Sequence, residues 1–295
     1  MRARVLVVDS TLEIGDAFRF DSASRRFVTL DRLKYFNRWA FDIVAVPSAC
    51  DTARLQLKSD FLDTFVRGGG ILLCLHSRSG SQHQFLNCST INGSRVEGVR
   101  VADTEEAVQI LGDAESDDLM LHAGWYAHAS FTCNSSCEVT PLIYATDDPD
   151  QWQSYTAAIM APNHGKGGAV LFSTTDFDYH ALHEPALPPS WDDQGSIDRK
   201  KDRAARVCHE MCDWTQREYG KWSWWKQAFR RLMGQFSFQY LIRDGLILAG
   251  LAVVAVGILY AQNIVTAQVL AIVSIAVTLA TIALALYEGH NRVRR

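Results

Sequence analysis

Between Leu246 and Tyr287 the sequence has no charged residue. One helical crossing of the hydrocarbon core takes about 20 apolar residues, and this run is roughly twice that long. Its one clearly polar break is Gln262-Asn263. The pattern predicts two transmembrane helices, residues 241–261 and 264–287, joined by a very tight turn. Neither carries a charge in its central region, which excludes an intramembrane site for ion or proton transport. Acidic residues are missing from 221–243, where Lys221, Lys226, Arg230, Arg231 and Arg243 stand together. Internal repeats and low-complexity tracts are also missing. The opening MRARVLVVDS has too short an apolar stretch for a signal peptide, since Asp9 ends it. A net charge of -4 gives no reason to expect a nucleic-acid partner.

Four regions are therefore expected. Residues 1–219 read as a soluble domain, 220–240 as an amphipathic juxtamembrane helix and linker, 241–287 as the transmembrane hairpin, and 288–295 as a basic tail. Basic residues before the first span and Arg292, Arg294 and Arg295 after the second favour the cytoplasmic side. Both termini are thus expected in the cytoplasm, at the inner (cytoplasmic) membrane of the cell. The seven cysteines would then be mostly free thiols in a reducing compartment.

In 221–236, KWSWWKQAFRRLMGQF, tryptophans and phenylalanines alternate with cations. That is the composition of a helix lying in the headgroup layer, with Lys221, Lys226, Arg230 and Arg231 as cationic heads. The alternative is an ordinary helix packed on the soluble domain. In the hairpin, Gly250 and Gly257 lie two turns apart in the first span. Ala267, Ala271, Ser274, Thr278 and Thr281 recur at helical spacing in the second. Small residues on one face allow close helix contact, so a homo-oligomer is expected.

Within the soluble region, Arg4–Val8 reads as a buried strand, and 41–47 as a second, stopped by Pro47. Residues 30–39 suit a helix, and 53–66 an amphipathic helix ended by Gly68-Gly69-Gly70. Ile71–Leu75 is a third strand. Thr104–Leu111 reads as a helix, Val139–Ala145 and Ala169–Thr174 as strands, and Asp198–Glu218 as a long helix. Strands alternating with helices predict an α/β domain with a doubly wound, mostly parallel sheet covered on both faces.

The segments FDIVAVPSACD, FVRGGGILLCLHS, EVTPLIYA and NHGKGGAVLFSTTDFDYH resemble the class I glutamine-amidotransferase-like superfamily, and most of all its ThuA-like branch. The resemblance covers roughly residues 3–217 and implies a flavodoxin-like fold. It also implies where a catalytic triad would fall, and there the sequence departs from the family. The nucleophile position falls on His76 instead of a cysteine, and the His-x-Glu positions fall on Asp176 and Asp178. Cys74 lies inside an apolar strand, without the exposure and base a thiolate nucleophile needs. Glutaminase activity is therefore not expected.

Ligands of an open parallel sheet gather at the carboxyl ends of its strands. Those ends are Asp9-Ser10, the Ser48 segment, His76 through Gly80, and Asp176 through His180. One reading makes His76, with Asp176, Asp178 or His180, an acid–base or metal site. Another has Ser77, Arg78 and Ser79 bind an anion. The bland alternative is that these residues cap helices and shape loops. No organic cofactor is expected; a divalent ion held by carboxylates and imidazoles is left open. Cys133 with Cys137, and Cys208 with Cys212, could build a four-thiolate zinc site or simply pack as buried thiols.

Two functions compete. In one, a non-catalytic sensing or docking domain binds a small molecule or protein, and the bilayer-embedded hairpin is its anchor or oligomerising output. That architecture resembles membrane effectors of bacterial antiphage defence. In the other, a membrane-tethered ThuA-like hydrolase or isomerase uses His76 and Asp176/Asp178.

Overall fold

The computed structural model describes residues 2–9, 17–21, 23–35, 37–50, 55, 57–75, 82–83, 88–90, 95–122, 124–133, 137–145, 154–162, 168–183 and 194–235. The chain divides into two compact units, Met1–Gly234 and Gln235–Arg295. Both expected membrane helices and the basic tail lie outside the described residues. Among the described residues no helix is long and apolar enough to cross a membrane.

The first unit is built on one sheet. Its strands are β1 (Arg4–Asp9), β2 (Ser24–Thr29), β3 (Ile43–Val46), β4 (Ile71–Cys74), β5 (Gln82–His83), β6 (Cys88–Thr90), β7 (Arg100–Val101), β8 (Phe131–Cys133), β9 (Cys137–Tyr144), β10 (Tyr155–Pro162) and β11 (Ala169–Ser173). The order runs β2-β1-β3-β4-β11-β10-β8-β6-β5, with β9 on β10 and β7 on β9. The central block from β2 to β11 is parallel throughout. From β10 outward every pairing is antiparallel. The parallel expectation thus holds for the block that carries the long apolar runs, and the far side of the sheet departs from it.

Side chains alternate across the sheet, and each face finds its own helix. Val5, Val7, Ile43, Ala45, Ile71, Leu73 and Leu171 share one core with Ala204, Val207, Cys208, Met211 and Cys212. Leu6, Val8, Val44, Val46, Leu72, Cys74, Val170 and Phe172 share the other with Leu62, Phe65 and Val66. The helices are α1 (Ser59–Arg67), α2 (Glu105–Leu111), α3 (Phe177–Leu182), α4 (Gln194–Gly220) and α5 (Trp224–Gln235). Thr104 caps α2 by accepting the Ala107 N–H. Helix α1 begins later than expected, and Leu57 just before it is 79% exposed. Residues 30–39 contain a 3-10 segment, Leu30–Tyr35, in place of an α-helix. Of the three glycines after α1, Gly69 takes the left-handed conformation (φ 82°).

Gly168 enters β11 where α1 meets β4. A Cβ there would overlap the Val66 carbonyl oxygen and lie 3.2 Å from that of Gly70. Both obstacles are backbone and cannot swing away. Gly168→Ala is expected to cost about 1–3 kcal/mol, read as a lower midpoint in urea unfolding with an unchanged slope.

Helix α5 corrects one expectation. Arg230 is not a cationic head in the headgroup layer: it is 1% exposed. It donates to the carbonyls of Gly68 (2.8 Å), Arg38 (3.2 Å) and Phe41 (2.7 Å). Its Nε lies 3.5 Å from Asp42, which also pairs with Arg4 at 2.9 Å. Other large side chains of the helix stay exposed, namely Trp224, Trp225, Phe229 and Leu232. The helix therefore packs on the domain through Arg230 while presenting aromatic surface outward.

Candidate functional site

The site forms where β11 ends. The β11 strand is an apolar run closed by the buried Ser173-Thr174-Thr175, in which the Ser173 and Thr174 hydroxyls are committed to backbone. Ser173 Oγ donates to the Thr175 carbonyl, and Thr174 Oγ1 donates to that of Ala129 at 2.6 Å. The second bond pins the segment carrying His122 and His128 against the strand end. A short bridge between His122 and Trp125, and another between Val96 and Ala127, hold that segment in an irregular turn.

Asp176 follows at the N-cap of α3 but makes no side-chain cap bond. Its carboxylate turns instead to two imidazoles. Oδ1 lies 2.9 Å from Nε2 of His122, and Oδ2 lies 3.1 Å from Nε2 of His128. His180, one turn into α3, brings its ring within 4.6 Å of the His122 ring, centroid to centroid. His180 is 1% exposed, and neither ring nitrogen has a hydrogen-bond partner among the described residues. Asp178 is fully buried; its Oδ2 accepts the Ser48 N–H at 2.9 Å, while Oδ1 has no partner among the described residues. That bond ties the carboxyl end of β3 to α3.

The electrostatics follow from this packing. Burial pushes the Asp178 carboxyl up to about 7, against the Ser48 hydrogen bond and aided by the Asp176 charge. Burial pushes His180 down to about 4, with the Asp176 charge opposing. For Asp176, burial acts upward, but the hydrogen bonds from His122 and His128 outweigh it. They hold the carboxyl well below the usual carboxylate range. One ionised carboxylate, one buried carboxyl that titrates near pH 7 and a buried neutral imidazole thus sit together at the strand end.

Of the residues expected at the site, Ser48, Asp176, Asp178 and His180 come together here. Asp9 closes β1 opposite Thr29; its side chain lies outside the described residues. So do His76, Ser10, Ser77, Arg78 and Ser79. His122 and His128 were not anticipated. Their only sequence signal is two histidines within LHAGWYAH, in a chain with nine. The Trp125 ring stacks near His122 (6.1 Å), and the exposed Arg95 guanidinium lies over Trp125 at 3.4 Å.

The cysteines take no part among the described residues. Cys74 is buried in β4, and Cys208 and Cys212 are buried in α4. Cys133 donates its thiol toward Met160 Sδ (3.3 Å). No described cysteine enters a metal-ligating cluster. Chemically, the arrangement can bind a cation through carboxylate and imidazole, or move a proton through Asp178. No protein-family model matches the sequence, and a search of curated proteins returns no match.

Proposed function

We propose that the chain is a membrane-held ligand-binding protein. Its cytoplasmic head is a flavodoxin-like domain of the class I glutamine-amidotransferase type that lacks the Cys-His-Glu triad. Its 241–287 hairpin is the anchor, or the oligomerising effector, at the inner membrane. The observation that carries this reading is the convergence of Ser48, His122, Asp176, Asp178 and His180 at the carboxyl edge of the sheet, with no described cysteine among them. The parallel strand order β2-β1-β3-β4-β11 supports the flavodoxin-like assignment, since it follows the 2-1-3-4-5 pattern of that fold. The outward aromatic surface of α5, directly before the apolar run, supports the membrane location.

The buried Asp178 and its histidine neighbours favour a second reading, a membrane-tethered hydrolase or isomerase. The two differ in what disables them. In the sensing protein, Gly250→Leu and Gly257→Leu abolish oligomers detected by cross-linking in membranes, and Asp176→Asn leaves them intact. In the enzyme, Asp176→Asn abolishes turnover, and the hairpin variants do not. Both readings require the full-length chain to resist alkaline extraction and to need detergent for release. Recovery in the aqueous fraction would refute the membrane location.

A further inference from the structure

We infer that His122, Asp176 and His180 form a divalent transition-metal site, with His128 as the outer partner that orients the carboxylate. This goes beyond the ligand-binding reading and does not depend on how the chain meets the membrane. Three observations carry it. Each of the three residues offers one ligand atom, and these atoms lie within 4.8 Å of one another. Around a tetrahedral ion bound at 2.0–2.1 Å, donor atoms are about 3.3 Å apart, so rotamer adjustment suffices to close the set. His122 Nε2 and Asp176 Oδ1, 2.9 Å apart, already stand near that separation.

Second, His180 is buried with both nitrogens unpartnered among the described residues. A buried polar atom left without a partner costs about 1–3 kcal/mol, and native interiors keep few of them. A metal ion accepting a lone pair from one His180 nitrogen removes that cost for that atom. Third, Asp176 gives its two oxygens different jobs. Oδ1 faces His122 in the ligand set, and Oδ2 is held by the half-exposed His128. Hydrogen bonds that fix a ligating carboxylate from behind are a regular feature of metal centres.

The ligand chemistry selects the ion. Two imidazoles and one carboxylate suit zinc, iron(II) or manganese(II) more than calcium or magnesium, which favour all-oxygen sets. Three protein ligands leave a coordination position open, as in catalytic rather than structural sites. A water or an anionic oxygen of a ligand would fill it. A second acid–histidine group, Asp21, His209 and Asp213, lies elsewhere on the domain. Its Asp21 is 76% exposed, so water can satisfy that group without an ion. It serves as the internal control.

The test uses the full-length chain in mild detergent, stripped with a chelator and titrated with cobalt(II) chloride and then zinc chloride. We expect one cobalt(II) per chain, with the visible absorption of a low-symmetry nitrogen–oxygen site that zinc displaces. His180→Ala and Asp176→Asn should each weaken binding by more than about 100-fold, and His128→Asn by about 10–100-fold, as for outer partners of metal ligands. His209→Ala should leave stoichiometry and spectrum unchanged. If a ligand variant unfolds, zinc-dependent elevation of the wild-type unfolding midpoint supplies the second readout. No bound cobalt, no midpoint shift with zinc, or loss of binding in His209→Ala but not in a folded His180→Ala would each overturn the assignment.

Discussion

Replacing Arg230 with methionine is expected to weaken the docking of α5 by about 3–5 kcal/mol, because three carbonyls lose a charged donor at about 1–3 kcal/mol each. The cost lies in what is left behind. Asp42 would keep Arg4, whose Nη2 and Nε lie 2.9 and 3.1 Å from its two oxygens. It would not become an isolated buried charge. The carbonyls of Gly68, Arg38 and Phe41 would each lose a short donor. The guanidinium also lies between the rings of Trp39, Phe65 and Trp222, about 5 Å from each. Methionine would refill part of that volume without donating. Burial lowers the Arg230 pKa to about 10, so the side chain is still charged near neutral pH and the network is intact there. Lysine should restore only a fraction of the loss. A compact ammonium cannot reach carbonyls in a fork as the planar guanidinium does. Hydrogen exchange would locate the effect. Protection of Trp224–Gln235 should vanish in Arg230→Met, while β3 and β4 stay protected at moderate denaturant. Equal loss in all three segments would mean that Arg230 supports the whole domain and not the docking of α5.

The contrast between Arg230 and its neighbours shows which parts of the structure are legible in the sequence. Strands β1, β3, β4 and β11 are apolar runs ended by Asp9, Pro47, His76 and a serine–threonine cluster in turn, and a strand buried on both faces has to look like that. Helices α2 and α4 announce themselves by a capping threonine and by an apolar face. Strand β2 does not, because an edge strand reading Ser-Arg-Arg-Phe-Val-Thr buries only Val28. The antiparallel strands β5, β6 and β8 have two or three residues each, too few for any period to show. Among Lys226, Arg230 and Arg231, composition cannot say which cation folds inward. That depends on carbonyls supplied by residues about 160–190 positions earlier. The site divides the same way. Asp176, Asp178 and His180 follow a recognisable strand, so their position at its carboxyl end could be read. His122 and His128 sit in an irregular turn without periodicity, and long-range contacts such as that of Thr174 with Ala129 bring them to Asp176.

The second large effect concerns pH, in the chelator-treated protein so that no bound ion contributes. Asp178 binds its proton until about pH 7 in the folded state, compared with 3.8 for an ordinary aspartate. His180 stays neutral down to about 4, compared with 6.5. Between pH 4 and 6.5 the unfolded chain therefore carries one proton on His180 and none on Asp178. The folded chain carries one on Asp178 and none on His180. Stability changes with pH only where the two states bind different numbers of protons. The pair thus contributes no slope in this window, although each member alone would. Asp176, held low by its imidazole bonds, is ionised in both states there, and its contribution falls away only in more acidic solution. Substitution should uncover the hidden slopes with opposite signs. In Asp178→Asn only His180 remains, and its depressed pKa means stability is lost as pH falls. Relative to wild type, stability should rise by about 1.4 kcal/mol per pH unit from 4 to 6.5. In His180→Gln only Asp178 remains, and its raised pKa means stability is lost as pH rises. The difference from wild type should fall at a similar rate from about pH 4 to 6.5, where the missing His180 contribution lies. Across the window each variant should depart from wild type by about 2–3 kcal/mol. Other titrating groups are common to all three proteins and cancel in the differences. Urea titrations at half-unit pH steps give the curves. Two flat difference curves would show that Asp178 and His180 titrate as solvated groups, and two of the same sign would show that they share one proton.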